Sequence, residues 1–301
     1  MLARLQQALT LGALLLAALW LLFSLRSGQA AWALGGLLLI LGGYAAVLAL
    51  EFIMLRFVHG NDPTPRASPT QLLRAWWGEV VAAPRVFCAR QPFQSQRYPD
   101  HLPADARGRR GVLFVHGFVC NRGLWNPWLK RLQADGQAYV AVTMEPPFGG
   151  IDDGIAAIEE GVRRLEACTG VAPVLVAHSM GGLAVRRWWA EHGDEARVFH
   201  AITIGTPHQG TWLARFAMSR NAQQMRQGSS WLATLAAREP PGRARRFICF
   251  YSHCDNIVFP ASSATLAGAD NRHLAGVAHV HMADHPAPWN ALRALLAQAT
   301  P

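Results

Sequence analysis

The chain opens on two long stretches without charge and then changes character. Between residues 8 and 25 the only polar side chains are Thr10 and Ser24, and residues 30–50 carry no charge at all. At roughly 1.5 Å of helix per residue, each stretch is about long enough to cross a hydrocarbon core. Only Arg26, Ser27, Gly28 and Gln29 separate them, so the pattern predicts a hairpin of two transmembrane helices over residues 1–58. A cleaved secretory leader is the competing reading of the first stretch, with Arg4 as its basic region and Gly28-Gln29-Ala30 as the small-residue cleavage positions. The second apolar stretch follows at once, which favours a retained hairpin.

Residues 59–85 are linker and helix. HGNDPTPRASP, residues 59–69, is rich in turn formers. After it, Leu72, Leu73, Trp76, Trp77, Val80 and Val81 fall on one helical stripe. Two placements of that stripe stay open: the membrane interface, where tryptophans collect, or the surface of a globular domain.

From Gly111 onward buried-strand patterns alternate with amphipathic helices. GVLFVHGF, QAYVAVTM, VAPVLVAHS, VFHAITIGTPHQG and RRFICFYSHCD read as strands. DDGIAAIEEGVRRLEACTG places Ile155, Ile158, Val162 and Leu165 at helical spacing and stops at Gly170. MGGLAVRRWWAEHG and PWNALRALLAQA are further helices. The alternation predicts an α/β domain over residues 86–301, a mostly parallel sheet with helices on both faces. Residues 212–237 are long for a connection and rich in Trp, Phe, Met and Leu. They read either as a helical cap or lid over an apolar pocket, or as a helix pair packed on the core.

The segment VLVAHSMGGLAV, residues 174–185, carries the chemistry. A serine is a poor nucleophile until a base takes its proton and a strained turn exposes it. A sharp strand-turn-helix tolerates only small residues two positions either side of that serine. Here Ala177 and Gly181 flank Ser179, with His178 and Met180 next to it, so AHSMG reads as a nucleophile elbow. The following helix aims its positive end at developing negative charge. An oxyanion also needs two backbone donors. Met180, after the nucleophile, and Phe118, in the loop after VLFV, are the candidates, with Gly117 allowing close approach. His116 supports that loop in this reading.

Acid and base then follow the serine in chain order. Asp255 comes directly after the strand FICFYS, and His279 lies in GVAHVHMADHP. His281, His285 and His273 are rival bases, and Asp284 is a rival acid in the wrong chain order. HVHMADH also approaches a metal-ligand run, but one extra residue between His281 and Asp284 re-aims the carboxylate, so no metal or other cofactor is expected.

Charge alters the picture little. The net charge is +9, with Lys130 the only lysine, and no basic run is interleaved with aromatics, which argues against nucleic acid as a partner. A cationic domain does suit an anionic bilayer surface. The five cysteines, odd in number and without metal spacing, suit a reducing compartment or buried thiols rather than a disulfide framework.

VHGF, AHSMGG, TIGTPHQGT, YSHCDNIVFP and GVAHV occur in this order, and the chain over residues 86–300 resembles the α/β-hydrolase family. The likeness is to small bacterial lipases and esterases whose elbow also begins with alanine. It implies Ser179 as nucleophile, His279 as base and acid, Asp255 as orienting carboxylate, and Phe118 and Met180 as oxyanion donors. It also implies a shaping role for residues 205–211 near the acyl pocket. The expected activity is hydrolysis of acyl or lipid esters through an acyl-enzyme, with acyl transfer to an alcohol open on the same site. A membrane-tethered binding protein without turnover is the alternative from another class. The expected partners are the ester substrate and the bilayer, with no protein partner evident. Arg4, Arg56, Arg66 and Arg74 flank the hairpin while its turn holds only Arg26. The positive-inside bias thus predicts a catalytic domain in the cytoplasm, and the resemblance to bacterial lipases implies a bacterial inner membrane.

Overall fold

The computed structural model describes residues 1–299. The two apolar stretches form helices α1 (Leu2–Arg26) and α2 (Ala30–Val58), packed as a hairpin in which the Trp20 indole donates to Trp32 O. Both are long and apolar enough to cross a membrane, with mean hydropathy 2.3 and 2.2. Most of their large side chains are exposed, as lipid-facing residues would be. Helix α2 runs past the uncharged stretch to include Glu51 and Arg56. The chain-end halves of the hairpin touch the rest of the protein: Leu2 and Gln6 of α1, and Phe52 and Leu55 of α2, are buried.

Helix α3 (Pro69–Pro84) begins on a capping box, Ser68 with Gln71, and lies between the hairpin and the α/β domain. Its buried face is Ala75, Glu79 and Ala82, not the whole large-residue stripe expected from the sequence. Small side chains let α3 approach the domain closely. Leu72 and Trp76 pack toward the hairpin end, where the Trp76 indole donates to Ala45 O, while Leu73 and Trp77 stay exposed. Pro84 cannot donate to Val80 O four residues back. The Tyr44 hydroxyl of α2 donates to that carbonyl instead, at 2.7 Å. A widened π turn, Arg85–Arg90, then leads into α4 (Gln91–Gln94), so one helical run crosses the linker-domain boundary placed at residue 85.

The domain holds a six-stranded parallel sheet ordered β2-β1-β3-β4-β5-β6. Its strands are β1 (Val112–Val115), β2 (Tyr139–Ala141), β3 (Val174–His178), β4 (His200–Ile204), β5 (Phe247–Tyr251) and β6 (Asp270–His273). The first four residues of β3 are fully buried and apolar, as expected of a central strand covered on both faces. Helices α5 (Asn126–Ala134) and α10 (Pro286–Leu296) cover one face. Helices α6 (Ile155–Thr169) and α7 (Met180–His192) cover the other. Strand β6, sequence DNRH and fully exposed, was not legible as a strand: it is an edge held by backbone pairing to β5.

Between β4 and β5 the long segment forms a 3-10 turn, α8 (Arg220–Gln224) and α9 (Ser230–Arg238). Ala214, Met225, Leu232 and Leu235 join the core on the α6/α7 face. Asp152 accepts from Gln224 and Trp231, and Arg186 of α7 makes a bidentate pair with Glu239.

Candidate active site

The chain order of the sheet reverses between β1 and β3, and ligands of open α/β sheets bind beyond the strand ends at such a point. Ser179 follows β3 there at φ +54° and ψ −131°, a strained conformation for a residue with a side chain. The small-residue rule has a direct steric cause. A Cβ on Gly181 would lie 2.5 Å from His116 O and 2.6 Å from Val115 O. A Cβ on Gly117 would meet the Ser179 Cβ at 2.7 Å. The elbow and the loop after β1 are thus packed backbone to backbone, which brings Phe118 beside Ser179 in one chamber. Met180 is the first residue of α7, and neither its N–H nor that of Phe118 donates to a carbonyl among the described residues.

Asp255 sits in the turn after β5. Its Oδ1 accepts from the amides of Ile257 and Val258, at 2.9 and 2.8 Å, and its Oδ2 lies 2.9 Å from His279 Nδ1. Three acceptor contacts hold a carboxylate that is 1 % exposed. His279 Nδ1–H therefore donates to Asp255, which leaves Nε2 as the free acceptor. Burial disfavours the His279 imidazolium, but Asp255, with Glu79 and Glu51 adding to it, outweighs burial and raises the pKa. His279, Ser179, His178 and Phe118 all line one chamber of about 230 Å³.

The other histidines have different work. His116 Nδ1 donates to Gly117 O at 2.8 Å and its Nε2 accepts from the Met144 amide at 2.9 Å, bracing the loop after β1. Burial lowers its pKa to about 4, so it stays neutral. His178 Nε2 donates to His279 O at 3.1 Å, and burial, with His279 nearby, lowers its pKa to about 3. The His281 ring lies over Gly78 of α3 and does not line the chamber. His285 caps α10, and His273 packs on Tyr251 and His253. Asp284 is engaged by Arg90 through two contacts of 3.0 and 3.2 Å. Among the described residues, no group of three or more His, Cys, Asp or Glu is placed to hold a metal ion.

Four residues around the site were missed at the level of sequence. Glu79 of α3, 1 % exposed, accepts from the amides of Val280 and His281 at 2.9 and 3.0 Å, directly after His279. Burial raises the Glu79 pKa against those two bonds. Asn256 accepts from the His279 amide at 3.2 Å and donates to Glu51 of α2 at 2.6 Å. Gln6 of α1 donates to Gln91 at 2.8 Å and to Val119 O at 3.2 Å, one residue beyond Phe118. The chamber wall opposite Ser179 is accordingly built by α2 and α3, through Leu48, Glu51, Glu79 and Ala83, and no residue of 212–237 lines it.

This sheet order, elbow and loop arrangement define the α/β-hydrolase fold. Solved structures agree. A Bacillus licheniformis lipase, BlEst2 in its mature form, aligns at TM-score 0.56 and 17 % identity over 64 % of this chain and 95 % of that one. Its propeptide form aligns at TM-score 0.54 and 19 % identity, over 67 % of this chain and 53 % of that one. Aspergillus fumigatus lipase B aligns at TM-score 0.55 and 21 % identity, and this chain spans 58 % of its length. No family model matches the sequence, and no curated protein sequence matches it. The likeness is one of fold.

Proposed function

We propose that this protein is a membrane-anchored serine hydrolase of carboxylic esters. The observation that carries the reading is a serine on a strained elbow sharing a chamber with a histidine whose Nδ1 is fixed 2.9 Å from a buried carboxylate. Ser179 Oγ attacks the ester carbonyl carbon while its proton passes to His279 Nε2. Asp255 holds the imidazole in the tautomer that accepts there and stabilises the imidazolium. The Phe118 and Met180 amides receive the oxyanion at the positive end of α7. Collapse expels the alcohol, which takes the proton from His279. Water then attacks the acyl-enzyme by the same route, returning the acid and free Ser179.

The two apolar helices are the anchor in this reading, and the arginine distribution favours a cytoplasmic catalytic domain. The decisive experiment is fluorophosphonate labelling in detergent or nanodiscs with peptide mapping. Labelling at Ser179 that is lost in His279→Ala supports the hydrolase. Folded protein that takes no label favours a tethered binding protein, and ester formation with added alcohols at the expense of free acid favours acyl transfer.

A further inference from the structure

The chamber at Ser179 is covered from bulk solvent, with Ser179 7 % and His279 4 % exposed. It is also small: about 230 Å³, against roughly 300–1,000 Å³ for pockets that enclose drug-sized ligands. An acyl chain of any length must therefore leave it somewhere. On the Met180 and His116 side the adjoining cavity is only about 10 Å³. On the other side, Leu48 of α2, Ala83 of α3 and Phe87 in the π turn line the chamber and also line a second cavity of about 660 Å³. That cavity is a groove between α1, α2 and α3, walled by Ala13, Leu14, Ile40, Leu41 and Val47, with Tyr44 and Cys88 among its few polar side chains. Leu14, Leu41 and Val47 are about half exposed on helices long and apolar enough to cross a membrane. The groove beyond these three shared residues is therefore apolar and lies within the candidate spans, and the chamber on their other side holds Ser179, His279, Glu51 and Glu79.

We infer that the groove between α1, α2 and α3 is an acyl-chain site, through which an ester lipid resident in the bilayer threads its tail while its carbonyl reaches Ser179. This inference rests on the ester-hydrolase reading and names its substrate class: a long-chain acyl ester taken from the membrane plane, not a short ester taken from water. The shared residues Leu48, Ala83 and Phe87 are the throat. A methylene that enters an apolar groove gains when taken from water, but almost nothing when taken from lipid. The groove thus selects chains by shape and by access from the bilayer.

The test uses the full chain in phosphatidylethanolamine/phosphatidylglycerol nanodiscs and p-nitrophenyl alkylphosphonates carrying a diazirine at the chain end. Ser179 Oγ bonds to phosphorus, p-nitrophenolate leaves, and the serine proton passes to His279. The tethered tail is then photolysed and its contacts are mapped. The expected result for a long chain is insertion into peptides from residues 2–26 and 30–58, centred on Ala13, Leu14 and Leu41, with an ethyl analogue reacting only at the chamber wall. Long-chain insertion into residues 212–238, or only into solvent or bulk lipid, overturns the groove while leaving the hydrolase reading intact. Absence of phosphonylation in folded protein overturns the hydrolase reading itself and the groove with it. As a second measure, Leu14→Trp with Leu41→Trp fills the groove without touching the chamber, and should lower the long-to-short ester ratio of kcat/KM by at least about tenfold, as loss of fit in an apolar pocket does. An unchanged ratio counts against the groove.

Discussion

Removing Glu79 tests whether α3 is part of the catalytic apparatus or only packs on it. Its carboxylate is buried and accepts two amides, those of Val280 and His281, immediately after the proposed base. Glu79→Ala leaves both amides without partners in a dry site, at about 1–3 kcal/mol each, so a loss of about 2–6 kcal/mol is expected. For a domain of this size that lowers Tm by roughly 4–24 °C. Catalysis should suffer beyond stability. The amides belong to the loop that aims His279, and a misplacement on the order of 1 Å costs about 10²-fold in rate.

Glu79→Gln separates shape from charge. It keeps one acceptor oxygen and removes a carboxylate that helps raise the His279 pKa. The proposed mechanism needs neutral His279, so it predicts that kcat/KM falls as pH drops through that pKa. With the carboxylate gone the pKa falls, and the acid limb of the profile moves to lower pH. Stability follows the same linkage: a raised histidine stabilises the fold below its unfolded pKa of about 6.5, and that contribution is lost as pH rises through the folded value. The assay is kcat/KM for a soluble short-chain ester across the pH range, beside thermal unfolding. Wild-type rates and an unmoved acid limb in Glu79→Gln, together with wild-type rates in Glu79→Ala, would refute the positioning role.

Other expectations are direct. Asp255→Asn keeps an acceptor for Ile257 and Val258 but presents an N–H donor to His279 Nδ1, which favours the wrong tautomer, so kcat should fall about 10⁴-fold with little change in fold by circular dichroism. His281→Ala should retain activity within a few-fold while His279→Ala loses it, because of these two only His279 lines the chamber; the reverse ranking in a burst assay reassigns the base. Arg186→Ala leaves the buried carbonyl of His208 and a partly exposed Glu239 without their partner, and should cost about 1–3 kcal/mol in chemical denaturation.

The legible parts of the site were the ones whose physics is local. The elbow could be read because its steric demand falls on residues two positions away, Ala177 and Gly181. Asp255 and His279 followed from strand ends and chain order. Glu79 and Glu51 were not legible, because their partners lie 201 and 205 residues away and nothing near them in sequence marks the contact. Residues 212–237 show the converse. Their apolar content suited a cap and core packing equally, and only the tertiary structure shows Met225, Leu232 and Leu235 joining the core, with the chamber closed by α2 and α3.

Three of the polar side chains on the apolar helices reach the surroundings of the site, and where each one lands argues that the hairpin supports it. Gln6 donates to Val119 O, next to Phe118; Tyr44 donates to Val80 O, next to Glu79; Glu51 accepts from Asn256, next to Asp255. A carboxyl in a spanning helix is unfavourable by a few kcal/mol, so one that persists usually faces protein and serves a site. Glu51→Leu distinguishes the two roles because they predict opposite signs. An anchor gains from a more apolar α2, and insertion should be unchanged or better. A helix that supports the site loses, because the Asn256 amide is left unpaired beside the His279 backbone, at about 1–3 kcal/mol. The expected outcome in nanodiscs is full membrane insertion with kcat/KM reduced by about tenfold or more. Undiminished turnover in that variant would reduce the hairpin to a tether.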